Sequence, residues 1–190
     1  MEAKDYLKII SKEIHRTIVA TVDDDGLPVT AAIDMMDSDE NGLYFLTAKG
    51  KNFYDRLIKR GYLALTSMKG EDTMSSVAVS VQGKVRELGY EKIPELFEKN
   101  PYMREIYPTE ESMHVLTVFQ IYEGTGEYFD LSKKPIERAT DIRRNINWRR
   151  EEKTPGVMCS EPVSVSVQTD VILILTLTGT GKGIPSTEKI

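Results

Sequence analysis

The feature that most constrains this chain is a succession of short period-two apolar segments joined by tight polar turns, with helical patterns breaking in at few places. Strand-like alternation covers residues 18–22, 28–36, 43–47, 62–68, 74–88, 115–122 and 127–131. Asp23-Asp24-Asp25-Gly26 turns the first link into a β-hairpin, and residues 38–42 form a second polar turn. Strands joined in this way pair antiparallel, whereas a doubly wound parallel sheet needs a helix between most strands. Six or more such strands predict a small barrel.

The helices are readable from apolar spacing. Leu7, Ile10 and Ile14 share one face of a first helix, with Lys4, Lys8 and Lys12 turned outward. A second helix turns Phe53, Leu57 and Ile58 inward and stops at Gly61. A third spans residues 90–99 up to Asn100-Pro101, and a short one covers 102–106. In the long fifth strand Val77, Val79 and Val81 share a face, and Gly83 marks a bulge or bend.

Composition narrows the function. The 190 residues, 40% hydrophobic and 29% charged, suit one substantial core. A net charge of -5 offers no basic field to a nucleic-acid backbone, and neither a basic amphipathic helix nor a lipidation motif points to a membrane. The opening Met-Glu-Ala-Lys-Asp lacks a secretory pattern, so a cytoplasmic location is expected. Cys159 is the single cysteine, which rules out an internal disulfide and a Cys-rich cluster. Two histidines are too few for an all-protein transition-metal site, so no metal is expected. His15 falls at the end of the first helix and His114 at a strand start, neither with a partner recognisable from spacing; no catalytic residue is assigned.

The chemistry concentrates where an apolar strand runs through Thr47, Lys49, Gly50, Lys51 and Asn52 into a helix. Helix-start N–H groups, the positive dipole end, a hydroxyl and two ammonium groups converge there on one anion, as phosphate binding requires. The competing reading makes Lys49 and Lys51 solvated surface lysines and Thr47 a helix cap. Thr30, Ala31 and Ala32 read equally as strand residues packed on the first helix. Trp148, flanked by Arg143, Arg144, Arg149 and Arg150 but followed by Glu151 and Glu152, reads as a solvated charged segment.

Four segments, in this order across residues 9–131, resemble the pyridoxamine 5'-phosphate oxidase-like, FMN-binding split-barrel family. They are Gly26-Leu-Pro-Val-Thr-Ala-Ala, Leu43-Tyr-Phe-Leu-Thr followed by Lys49, Lys51 and Asn52, the strand 62–67, and Val81-Gln-Gly-Lys-Val-Arg-Glu-Leu. The resemblance implies a mainly β fold with helices (α+β), an antiparallel split β-barrel of Greek-key type, in residues 1–131. Residues 132–190 are an atypical extension. The implied cofactor is FMN, its phosphate on Thr47, Lys49, Lys51 and Asn52, and its ring or ribityl chain along Val29, Thr30, Ala31 and Ala32. Ser75, Ser76 and Val77 border the flavin. A homodimer with shared flavin sites is implied, to which Tyr62, Leu63, Val77 and Val79 contribute.

Many relatives carry an Arg-Lys pair where this chain has Asn52 and Phe53, so Lys49 and Lys51 must substitute. The family's Arg-x-His substrate element is not visible after Leu131, so true pyridoxamine-phosphate oxidation is not expected. The expected function is an FMN-dependent oxidoreductase acting on a small-molecule substrate or redox partner. The alternative is a non-enzymatic flavin carrier or storage protein, or a split barrel binding haem or a deazaflavin. In the extension, Val163-Ser-Val-Ser-Val alternates and residues 171–178 are apolar, and Cys159 stands alone where some relatives carry Cys-x-x-Cys runs.

Overall fold

The computed structural model describes residues 1–140 and 142, so Trp148, its flanking arginines, Cys159 and the apolar runs of the extension lie outside the described residues. Among the described residues seven strands form: β1 (Arg16–Val22), β2 (Pro28–Asp39), β3 (Gly42–Ala48), β4 (Tyr62–Lys69), β5 (Val77–Gly89), β6 (Leu116–Asp130) and β7 (Glu137–Ala139). The sheet order is β3-β2-β1-β4-β5-β6, and β6 returns to pair with β3, which closes a barrel of six antiparallel strands. Closure runs from the Leu43 pair with Ile121 to the Ala48 pair with Leu116. β7 adds to the other end of β6. The flanking helices are α1 (Ala3–Lys8), which continues into a π-helical segment Ile9–Ile14, then α2 (Asn52–Arg60), α3 (Ile93–Lys99), α4 (Met103–Ile106) and α5 (Glu110–His114).

β3 explains why its sequence is a continuous apolar run rather than an alternation. All seven of its residues are buried. Leu43 and Phe45 face the barrel interior with Val19, Val79 and Phe119, while Tyr44, Leu46 and Ala48 face a second core built by Ile93, Leu96, Phe97 and Met103. A strand covered on both faces has no polar side to show. Phe53 and Leu57 of α2 join the barrel core, where Phe45 stacks on Phe119 at 5.7 Å and meets Phe53 at 6.1 Å. Tyr6, Leu7, Ile9 and Ile10 join the same core, Tyr6 meeting Tyr128 at 5.0 Å.

Several expectations change. Ile58 is 52% exposed, because α2 meets the core with Phe53 and Leu57, and with Tyr54 packed beside them. β5 begins at Val77 rather than Met74, because Asp72 and Ser75 close a capping box around the 3-10 turn Thr73–Ser75. The polar turn of residues 38–42 contracts to Glu40 and Asn41. The register shifts along β5 fall between Lys84 and Val85 and between Glu87 and Gly89, not at Gly83. Gly83 instead lies opposite Gly124, where a Cβ on either would stand 2.4 Å from a backbone oxygen of the other strand. The two terminal strands are one, since the ladder with β5 passes through Gly124 and Gly126. His114 ends α5, whose start is capped by the Thr109 side chain accepting from the Ser112 N–H. His15 does end the first helical segment, its N–H donating to the Ile10 carbonyl at 2.7 Å with φ 67°.

Candidate functional site

Thr47 is the last barrel-facing residue of β3, opposite Thr117 of β6. The Lys49 N–H donates to the Val115 carbonyl at 2.8 Å, which anchors the chain as it leaves the strand. Gly50 then takes φ 81°, and Lys51 becomes the N-cap of α2 with no side-chain cap bond. Thr47 is therefore not the cap. Lys49, Lys51 and Asn52 are exposed at one corner, with Thr47 buried beneath them and the positive end of α2 beside them.

A carboxylate shares this corner. Glu87 continues the inward phase of β5 after Val85, and its carboxylate accepts from Thr117 Oγ1 at 2.7 Å and from the Tyr54 hydroxyl at 3.3 Å. Lys49 Nζ stands 3.8 Å from the same Glu87. Partial burial and the Glu87 charge push the Tyr54 phenol above its ordinary value, so it remains a donor.

The other candidates fall on two regions. Val29, Thr30, Ala31 and Ala32 pair with Thr21, Ala20, Val19 and Ile18. Ala31 packs on the barrel core, whereas Thr30 and Ala32 are exposed on the outer face of the sheet. That face continues through Ala20, Ala64, Thr66 and Ser80. Its small side chains leave one cavity of about 420 Å³ beside Ala20, Tyr62, Ala64 and Gln82, and another of about 550 Å³ beside Thr66, Ser80 and Thr140. Ile18, Tyr62 and Met68 stand exposed on it at 54%, 47% and 63%.

Ser75 and Ser76 are engaged in their own turn: the Ser75 N–H donates to Asp72 Oδ1 at 2.8 Å and the Ser76 hydroxyl to the Asp72 carbonyl at 2.7 Å. Val77 points into the core. Ser75 and Ser76 precede β5 and Val77 opens it, while Glu87 lies near its end, roughly 30 Å from Val77 at about 3.3 Å per residue. A single chain does not bring them to the 47–52 turn. Leu63, Val77 and Val79 are likewise core residues, and of the four expected interface contributors only Tyr62 faces outward.

His15 Nε2 lies 2.7 Å from the Tyr102 hydroxyl, which donates to Asp34 at 3.0 Å. His114 stacks on Tyr90 at 5.0 Å. Among the described residues no group of three His, Cys, Asp or Glu side chains is placed to hold a metal, and no helix is long and apolar enough to cross a membrane. Glu87, Tyr54 and Thr117 are the site residues that sequence reasoning missed. The available signal was an acid in the apolar phase of the fifth strand.

A sequence model of the family described as pyridoxamine 5'-phosphate oxidase matches residues 4–129. The chain matches no curated protein. Among solved structures, a NimC/NimA family protein from Clostridium acetobutylicum is 18% identical over 73% of this chain and 93% of that one, with a TM-score of 0.56. A protein from the same organism, related to general stress protein 26 of B. subtilis and of the pyridoxinephosphate oxidase family, is 15% identical over 74% and 96%, with a TM-score of 0.55. A heme binding protein from Mycobacterium smegmatis is 9% identical over 74% of this chain and 59% of that one, with a TM-score of 0.56. At these identities the likeness is one of fold.

Proposed function

The chain belongs to the pyridoxamine 5'-phosphate oxidase family, and from that premise we propose that it binds FMN and serves as an FMN-dependent oxidoreductase for a small molecule. The observation that carries this reading is the corner where exposed Lys49, Lys51 and Asn52 meet the N-terminus of α2 over Thr47. Those donors suit a phosphate monoester. When bound, the isoalloxazine supplies the electron chemistry. The chain's own residues bind and orient: Lys49, Lys51 and Asn52 hold the phosphate, and small side chains at Thr30 and Ala32 leave room on the outer face for a flat ring.

The reading includes a homodimer. A twofold-related copy covers the outer face around Ile18, Tyr62 and Met68, and brings its own Ser75 and Ser76 toward the flavin of its neighbour. A haem reading is less well supported, because His15 is hydrogen bonded to Tyr102 and His114 is stacked on Tyr90. The absorbance spectrum of purified protein separates the two ligands.

The test is paired titration with FMN and riboflavin. FMN should bind more tightly, and replacing both Lys49 and Lys51 with Ala should weaken FMN by about 2 kcal/mol while leaving riboflavin unchanged. Equal FMN affinity for parent and double variant would remove the phosphate site.

A further inference from the structure

The Glu87 carboxylate stands among the groups that the phosphate reading needs. It accepts from Thr117 and Tyr54, and it lies 3.8 Å from Lys49, one of the two ammonium groups of the corner. Its side chain keeps 26% exposure and that of Lys49 55%, so the pair sits at the rim rather than in the core. A phosphate monoester carrying about two negative charges must share Lys49 with this carboxylate and meet its repulsion.

Resting on the phosphate reading above, we propose that Glu87 is the specificity-determining counter-charge of the corner. It competes with the phosphate for Lys49 and keeps FMN an exchangeable ligand rather than a permanently held group. Lys51, Asn52 and the α2 N-terminus are then the principal phosphate donors, and Lys49 contributes fully only where the charge at position 87 is removed by substitution. The inward acid thereby compensates for a corner whose two lysines would otherwise hold the anion more tightly.

Glu87→Gln tests this, because the amide oxygen can still accept from Thr117 and the amide NH2 can donate to the Tyr54 hydroxyl oxygen, while the charge is gone. FMN should bind about tenfold more tightly and dissociate more slowly, the scale of one unit charge a few ångströms away at the nearly aqueous dielectric of an exposed rim. Riboflavin affinity and the melting temperature should change little. Lys49→Gln should lower FMN affinity more in the Glu87→Gln background than in the parent, a coupling that a merely structural role for Glu87 would not produce.

Unchanged or weaker FMN binding by Glu87→Gln, in a parent that prefers FMN to riboflavin, overturns the proposal and spares the phosphate reading. A parent without that preference sinks the phosphate reading. Appearance of the preference in Glu87→Gln would then still support the role of Glu87, and its absence there would overturn both. If Glu87→Gln does not fold, Lys49→Gln in the parent decides: little loss of FMN affinity supports the proposal, and a loss of tenfold or more overturns it.

Discussion

Asp37 is the buried carboxylate of β2, held between Lys12 at 2.8 Å and Lys99 at 2.5 Å. Burial pushes its carboxyl up, but the hydrogen bonds from Lys12, Lys99 and the Ser38 N–H outweigh that, so it stays below the ordinary carboxylate range. A depressed folded-state value stabilises above the unfolded value and loses that contribution as pH falls through the folded one. Asp37→Asn should therefore lower stability by about 2 kcal/mol near neutral pH. It should also flatten the decline below the usual Asp value of about 4. Urea unfolding at a series of pH values checks both. Gly83 and Gly124 make a steric prediction instead. A methyl on Gly83 would meet the Glu123 carbonyl oxygen at 2.4 Å, so Gly83→Ala should cost at least about 2 kcal/mol in thermal unfolding. Gly50→Ala meets nothing within 4 Å and suffers only its φ of 81°, which costs about 1 to 2 kcal/mol.

At the scale of elements, α3 exists to cover the second face of β3. Leu96 is fully buried between that strand and its neighbours, so Leu96→Ala should cost about 3 kcal/mol and loosen the helical layer, read as faster amide exchange in α3. Much of this architecture was legible. The apolar run of β3, the inward Phe53 and Leu57 of α2, the αL stop at Gly61 and the turn at Gly26 all carry local signals that tertiary structure left intact. What was not legible depends on partners distant in sequence. Gly124 and Gly126 read as a break between two strands, yet they serve β6 by admitting the close approach of β5. The hydrogen bonds that Ser75 and Ser76 make around Asp72 were not legible either. Glu87 was hidden because Thr117, Tyr54 and Lys49 come from three other parts of the chain.

For the whole molecule, the outer face of β1 and β4 is the surface that a second copy would cover. Ile18→Glu places a charge beside Ala32 and Thr66 in the middle of that face without entering the core. The parent should sediment at twice 21.5 kDa and the variant near the monomer mass, with weakened flavin binding if the site is shared. A variant that stays dimeric at micromolar concentration would place the contact elsewhere. The seam of the barrel carries a consequence of its own. β6 joins β3 through residues as far apart as Leu43 and Ile121, whereas β1, β2 and β3 follow one another in sequence. Closure is thus a late, long-range event, and until it happens the refolding chain is an open ribbon with two apolar rims, one along β3 and one along β6. Copies at high concentration can meet along those rims before each ring shuts on itself, so recovery from denaturant should fall as protein concentration rises, even though the finished ring offers neither rim.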